Sequence, residues 1–307
     1  MSATRGSLPG AVAVVLGLAL SAAACAGGGE TALDRGDRLW AQGDEEAAIA
    51  EYRLARRQRG DEPGVLLRLA HAYASRGDVS TSVRYYADLL EADSSHRYQA
   101  AADLAATARS ALDRAGRDRM ARALEPVVPL GLDLIPRDLR LELARHHTER
   151  QEFQQALPLY LSVLEEDPEV GRRVYYETAR AFQELGGCRE ALGHFERYVE
   201  GIEDGGGDVG GARWHYGSCL YEVAQEDWRR GRDSAALGRL DRLVRLGTPQ
   251  TLMDRAQYLR GELLLRAGRE EEALEAYREV LRLNPARSDP LARSAEEKVR
   301  RIRYGYE

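Results

Sequence analysis

Gly268-Arg269-Glu270-Glu271-Glu272-Ala273, followed by Tyr277, Val280 and Leu281 and closed by Asn284-Pro285, decides how this 307-residue chain is read. A turn leads into a small residue, and an aromatic or branched apolar residue follows four positions later. The order recurs seven times, with the small residue at Ala48, Ser82, Ala121, Ala156, Ala191, Ala236 and Ala273. The separations of 34, 39, 35, 35, 45 and 37 residues form a period. A period of that size means stacked helical hairpins, because no single unit can bury its apolar face alone.

With the small residue of each second helix set at repeat position 20, Gly261 falls at position 8, Leu264 at 11, Gly268 at 15, Tyr277 at 24, Val280 at 27 and Pro285 at 32. Small residues let two antiparallel helices approach, and larger ones at i, i+3 and i+4 spacing form the stripe between them. Gly ends the first helix and Pro closes the second. The second copy repeats the pattern through Leu66, Leu69, Ala70, Tyr73, Gly77, Ser82, Tyr86 and Leu89. The fourth does so through Leu143, Ala144, His147, Ala156, Tyr160 and Val163, and the fifth through Tyr175, Ala179, Phe182, Gly186, Ala191, Phe195 and Tyr198. The first uses Gly43, Ala48, Tyr52 and Ala55. The sixth uses Ala224, Gly231, Ala236, Leu240 and Leu243, after an opening helix expected from about Arg213 to Arg230. The third is degenerate, since Arg109 and Glu125 occupy positions 8 and 24.

This register resembles the tetratricopeptide repeat over residues 33–287. The resemblance implies an all-α fold, a right-handed α-solenoid of about seven helical hairpins closed by a C-terminal capping helix. The expected divisions are 33–136 for the N-terminal repeats, 137–200 for the middle ones, 201–211 for a Gly-rich loop, 212–287 for the C-terminal repeats and 288–304 for the polar cap. The loop, running from Gly201 to Gly211, explains the 45-residue spacing and reads as an inserted loop or a hinge. The stretch 125–136, apolar but broken by Pro126, Pro129 and Pro136, reads as a packed irregular connector.

Residues 1–24 read as an export signal. Arg5 is the only charge before Glu30, and the apolar run Ala11–Ala24 is shorter than the roughly 20 residues a membrane helix needs. Ala22-Ala23-Ala24-Cys25 resembles a bacterial lipobox, which implies a lipidated Cys25, a short tether over 25–32 and attachment that is effectively permanent. Ala26 in the next position is, by the same resemblance, compatible with the outer membrane of a diderm cell. Ordinary cleavage near Ala24 or Ala26 is the alternative; both export the chain. Without residues 1–24 the net charge passes from −6 to −7, which argues against a nucleic-acid partner. Cys188 and Cys219 remain. Their depths in antiparallel helices need not coincide, so two separate thiols are expected, with a disulfide as the alternative.

No catalytic constellation, phosphate loop or metal-ligand spacing stands out, and no cofactor is expected. His146 and His147 point about 100° apart on a helix and cannot clamp one metal unaided. The register puts His147 in the core and His146 outward; His71, His194 and His215 read as structural. What remains is a binding surface. In this family the inner faces of the first helices line a concave groove at repeat positions 2, 5, 9, 12 and 13. Carried over, these give His71, then Arg145, then Arg173, Tyr176 and Arg180. Tyr221, Gln225, Trp228 and Arg229 follow in the sixth repeat, and Tyr258, Glu262 and Arg266 in the seventh.

Aromatic surface beside Arg donors suits an extended or helical segment bearing acidic and apolar groups. The competing reading is that some of these tyrosines merely pack against the long sixth helix. The Lys-and-Asn clamp for a terminal carboxylate is absent, since Lys298 is the only lysine and Asn284 the only asparagine. The reading is a non-enzymatic scaffold, lipid-anchored in a bacterial envelope and assisting assembly of a membrane machine. A carrier or sensor for a small ligand or cell-wall fragment, and a regulatory subunit of an envelope hydrolase, stay open beside it.

Overall fold

The computed structural model describes residues 30–200, 209–287 and 289–305. The expected signal, Cys25 and residues 201–208 of the Gly-rich stretch lie outside them. Fifteen α-helices and four short 3₁₀ turns, with no strand, make up the described residues, and none of these helices is long and apolar enough to cross a membrane. The fold is all-α, as the repeat predicts.

The described residues divide into two compact units, one up to Thr107 and one from Ala108. The first holds α1 (Ala32–Ala41), α2 (Glu45–Arg59), α3 (Pro63–Ser75), α4 (Val79–Ala92) and the opening of α5 (Arg97–Ala115). Here α1 pairs with α2, α3 with α4, and α2 stacks on α3. The second unit continues with α6 (Arg117–Leu124), α7 (Arg137–Glu149), α8 (Phe153–Glu166), α9 (Arg172–Glu184) and α10 (Cys188–Val199). It ends with α11 (Val209–Arg229), α12 (Asp233–Leu246), α13 (Met253–Arg266), α14 (Glu270–Leu283) and α15 (Pro290–Tyr304). Each odd-numbered helix from α7 to α13 pairs with its successor, each hairpin stacks on the next, and α15 packs on α14.

One contact explains the repeat. A Cβ added at Gly36 would lie 2.5 Å from ring carbons of Tyr52, and one at Gly261 would lie 2.8 Å from those of Tyr277. The position-8 residue of the first helix thus meets the position-24 residue of the second. Ala70 and Tyr86, Ala144 and Tyr160, Ala179 and Phe195, and Ala224 and Leu240 keep the same spacing and are completely buried. Two of the rings hold a polar tip at the hairpin's edge: the Tyr52 hydroxyl donates to Asp37 at 2.9 Å, and that of Tyr277 to Glu262 at 2.6 Å.

Position 15 turns the chain with positive φ in every copy: Gly43, Gly77, Gly116, Gly186, Gly231 and Gly268 lie between 71° and 83°. In the fourth copy Gln151 adopts φ 62°, a region costing an L-residue about 1–2 kcal/mol.

The third repeat departs most. Ala121 is only half-buried, and Met120, Ala123 and Leu124 of the eight-residue α6 are buried instead. Arg109, which stands where a small residue belongs, pairs with Asp138 at 2.6 Å. The connector after α6 is irregular and packed: two 3₁₀ turns, Val128–Leu130 and Leu132–Leu134, lie between the buried Val127 and Ile135. Two expectations are corrected. Helix α11 begins at Val209 rather than near Arg213, inside the stretch read as loop. His146, read as outward, is buried at 8 % exposure, whereas His147 is half-buried. Helix α6 packs on α7 on the His146 side, where His146 Nδ1 lies 3.5 Å from Asp118, while His147 Nδ1 faces Glu152 at 2.8 Å at the turn into α8.

Two substitutions test the frame, each read as a shift in the denaturation midpoint. Gly261→Ala drives a methyl into the Tyr277 ring and is expected to cost about 1–3 kcal/mol. Gln151→Gly removes the positive-φ strain and is expected to raise stability by about 1 kcal/mol.

Candidate functional site

Within the second unit, the inner faces of α7, α9 and α11 border an open groove of about 800 Å³. Arg145 of α7, Arg173, Tyr176 and Arg180 of α9, and His215 of α11 line it, with Arg117 of α6 at one end. Four of the sequence-derived residues therefore meet in one place. Position 2 of α9 supplies Arg173, position 5 Tyr176 and position 9 Arg180, so all three project from one face of the helix.

The walls alternate in charge. Glu149 accepts from Arg117 at 2.6 Å, Arg117 reaches Glu142 at 2.7 Å, and Glu142 accepts from Arg145 at 2.9 Å. Arg145 continues to Glu177 at 3.3 Å, and Glu177 also accepts from Arg173 at 3.1 Å. Burial pushes the Glu142 carboxyl up, but Arg117 and Arg145 more than offset this and hold it below the usual carboxylate range. The Glu177 side chain is 12 % exposed and that of Arg173 is 79 % exposed. The Glu177 carboxylate thus lies in the wall while the Arg173 guanidinium stands out from it. Beneath, burial pushes the Tyr160 hydroxyl up to about 12. Tyr176 packs on Tyr198 and Phe195 at ring distances of 5.0 and 6.2 Å, leaving one edge to the groove. Arg180 bonds His215 and Glu184.

The other expected groove residues lie elsewhere. Tyr221 and Trp228 pack half-buried on the apolar cluster shared by α9 to α13. Gln225 donates to the Tyr221 hydroxyl at 3.0 Å, and the Arg266 guanidinium sits 5.8 Å from the Trp228 ring centre. Arg229 is exposed. Tyr258 packs edge-on against Tyr277, and Leu291, Val299 and Ile302 of α15 join the same cluster. Lys298 of α15 pairs with Glu262 at 2.6 Å. The inner face of α13 is thus taken by the chain's own last helix. His71, in the first unit, faces Asp103 at 2.6 Å, and His194 stacks on Phe182 at 5.5 Å, burial holding its pKa below the ordinary value.

Sequence reasoning missed Arg117, Glu177 and His215 as groove residues. Arg117 stands on a second helix, where the register did not look. His215 precedes position 1 of its repeat, so the register gave it no groove position, although it lies in α11. The described residues hold no group of three or more His, Cys, Asp or Glu able to bind a metal ion.

Cys188 and Cys219 form a disulfide, with Cα atoms 5.0 Å apart; the expectation of two separate thiols is overturned. Cys188 lies eleven residues before Val199 and Cys219 ten residues after Val209. At 1.5 Å per residue those depths match once α11 starts at Val209. The bond sits one turn beyond His215 and fixes that wall of the groove. With a sequence separation of 31 between the cysteines, chain entropy assigns it about 3–4 kcal/mol. Reduction, or Cys219→Ser, is expected to lower the melting temperature; an unchanged transition would remove the bond from the fold's stability.

The tetratricopeptide repeat family matches residues 33–97 and 221–288. No curated protein matches. Among solved structures, the C-terminal part of a TPR repeat-containing protein from Cytophaga hutchinsonii is 12 % identical, covering 86 % of this chain and 98 % of its own, with a TM-score of 0.37. YrrB, a TPR protein with an unusual peptide-binding site, is 17 % identical over 80 % of this chain and 97 % of its own, at 0.32. A tetratricopeptide repeat protein from Parabacteroides merdae is 11 % identical over 88 % and 97 %, at 0.33. These likenesses are too distant to transfer a ligand or a role. The family match thus covers two segments, one near each end of the described residues, and the buried small and aromatic positions keep the same register in the hairpins between them.

Proposed function

We propose that this chain is a non-enzymatic protein-interaction scaffold whose α7–α9–α11 groove receives an extended or helical segment of an envelope protein. The observation that carries the reading is the alternating wall. Arg117, Arg145 and Arg173 are held in place by Glu142, Glu149 and Glu177, so part of the ordering cost of binding is already met. Their remaining donors suit carboxylates, and the edge of Tyr176 suits an apolar side chain. The repeat fold itself favours protein–protein interaction over catalysis.

Export and lipid anchoring belong to the same proposal. The apolar run Ala11–Ala24 ending at Cys25 supports them, and so does a disulfide, since such bonds persist in oxidising compartments. Anchored on the periplasmic face of an outer membrane, the groove would act at high effective concentration on membrane partners during assembly of a machine.

Arg173→Glu with Tyr176→Ala tests the groove. Both residues are at least partly exposed, so helical circular dichroism should not change. A crosslinked pull-down from the native envelope should recover one partner in near-stoichiometric yield with wild type, and at least tenfold less with the variant. Equal recovery would place the partner on another face, and recovery of no protein would favour the small-ligand reading.

A further inference from the structure

A second concavity lies in the second unit, built from the second helices α10 and α12 over α11 rather than from the helices lining the groove. It encloses about 410 Å³. Arg189 of α10 and Arg239, Arg242 and Arg245 of α12 line it, with Glu196 as its one lining carboxylate. The α12 arginines recur every third residue and form one stripe. In a chain of net charge −6, four guanidiniums against one carboxylate reverse the local sign.

Three of these arginines are fixed before any ligand arrives. Arg189 donates to Asp227 at 2.8 Å and to Glu226 at 2.6 Å, and Arg239 also bonds Asp227. Asp227 is 1 % exposed and takes a further bond from Arg232 at 2.6 Å. Arg242 pairs with Glu196 at 2.6 Å and donates to the Tyr216 hydroxyl at 3.2 Å. Even with Glu226, Asp227 and Arg232 counted, five guanidiniums face three carboxylates. Arg245 is exposed and makes no hydrogen bond or ion pair among the described residues. Gly238 opens the pocket, since a Cβ there would meet nothing within 4 Å. Leu192 and Leu220 give it an apolar wall.

We infer that this pocket binds a phosphate ester. Guanidiniums converging from two helices suit an anion with several acceptors, and phosphate supplies three acceptors and more than one charge. The volume exceeds a bare phosphate group, and the two leucines suit the organic part of an ester. That ester is either a free phosphorylated molecule or the headgroup of an anionic phospholipid.

The test uses as parent the chain carrying Cys25→Ala, so that no acyl chain contributes to vesicle binding, with two further variants that leave the fold intact. Arg245→Glu removes a side chain that bonds to none of the described residues. Gly238→Glu sets a carboxylate at the mouth and replaces Gly by a better helix former. Inorganic pyrophosphate is titrated calorimetrically, and phosphatidylglycerol vesicles are compared with phosphatidylcholine vesicles by flotation. For a free phosphate ligand, pyrophosphate binds the parent and both variants weaken it at least tenfold. For a headgroup, the parent shows selectivity for phosphatidylglycerol and both variants lose it. Failure of the parent to respond to either probe would overturn the inference. So would parent-level binding by either variant with unchanged circular dichroism.

Discussion

Everything in this fold hangs on how closely two helices can approach within one hairpin. At Gly36 and Gly261 the backbone lies so near the opposing ring that a single carbon has no room. The separation is set there, and the rest of the apolar stripe packs at the distance it allows. The third hairpin shows the converse. With Arg109 and Glu125 at those two positions, close approach is lost, α6 stops after eight residues, and buried Val127 and Ile135 of the connector supply apolar cover.

Arginine does most of the polar work. Its fork can bridge two carboxylates on different helices, which a single ammonium does less well, and the alternating wall of the groove depends on that. The buried Asp227 carries the same logic inward. Burial pushes its carboxyl up, and Arg189, Arg232 and Arg239 together bring it below the ordinary range. Stability from this group is therefore present above its unfolded pKa near 3.9 and fades as pH falls through the lower folded value.

The frame was legible because burial has a period. Ala48, Ser82, Ala156, Ala191, Ala236 and Ala273 are all completely buried, and Arg145, Arg173, Tyr176 and Arg180 share a groove because the same register fixes their direction. What the register could not reveal depended on ends. The start of α11 at Val209 set the depth at which Cys219 meets Cys188, and His215, one turn before Cys219, lies ahead of the first position the register reads. The closing helix α15 reached back over α13 and brought Lys298 to Glu262. Neither effect is periodic, so neither leaves a mark on a repeat pattern. The aromatic residues Tyr221 and Trp228 were ambiguous for another reason, since a side chain at an inner position can turn toward the neighbouring hairpin as readily as toward solvent.

The bond between Cys188 and Cys219 also changes how the chain is connected. Glu200 to Val209 is one covalent route from the fifth hairpin to the sixth, and the disulfide is another. A peptide bond cut anywhere between those residues would leave a single molecule with two new termini. New ends, or an inserted sequence, could therefore be placed there while the hairpins on either side stay joined.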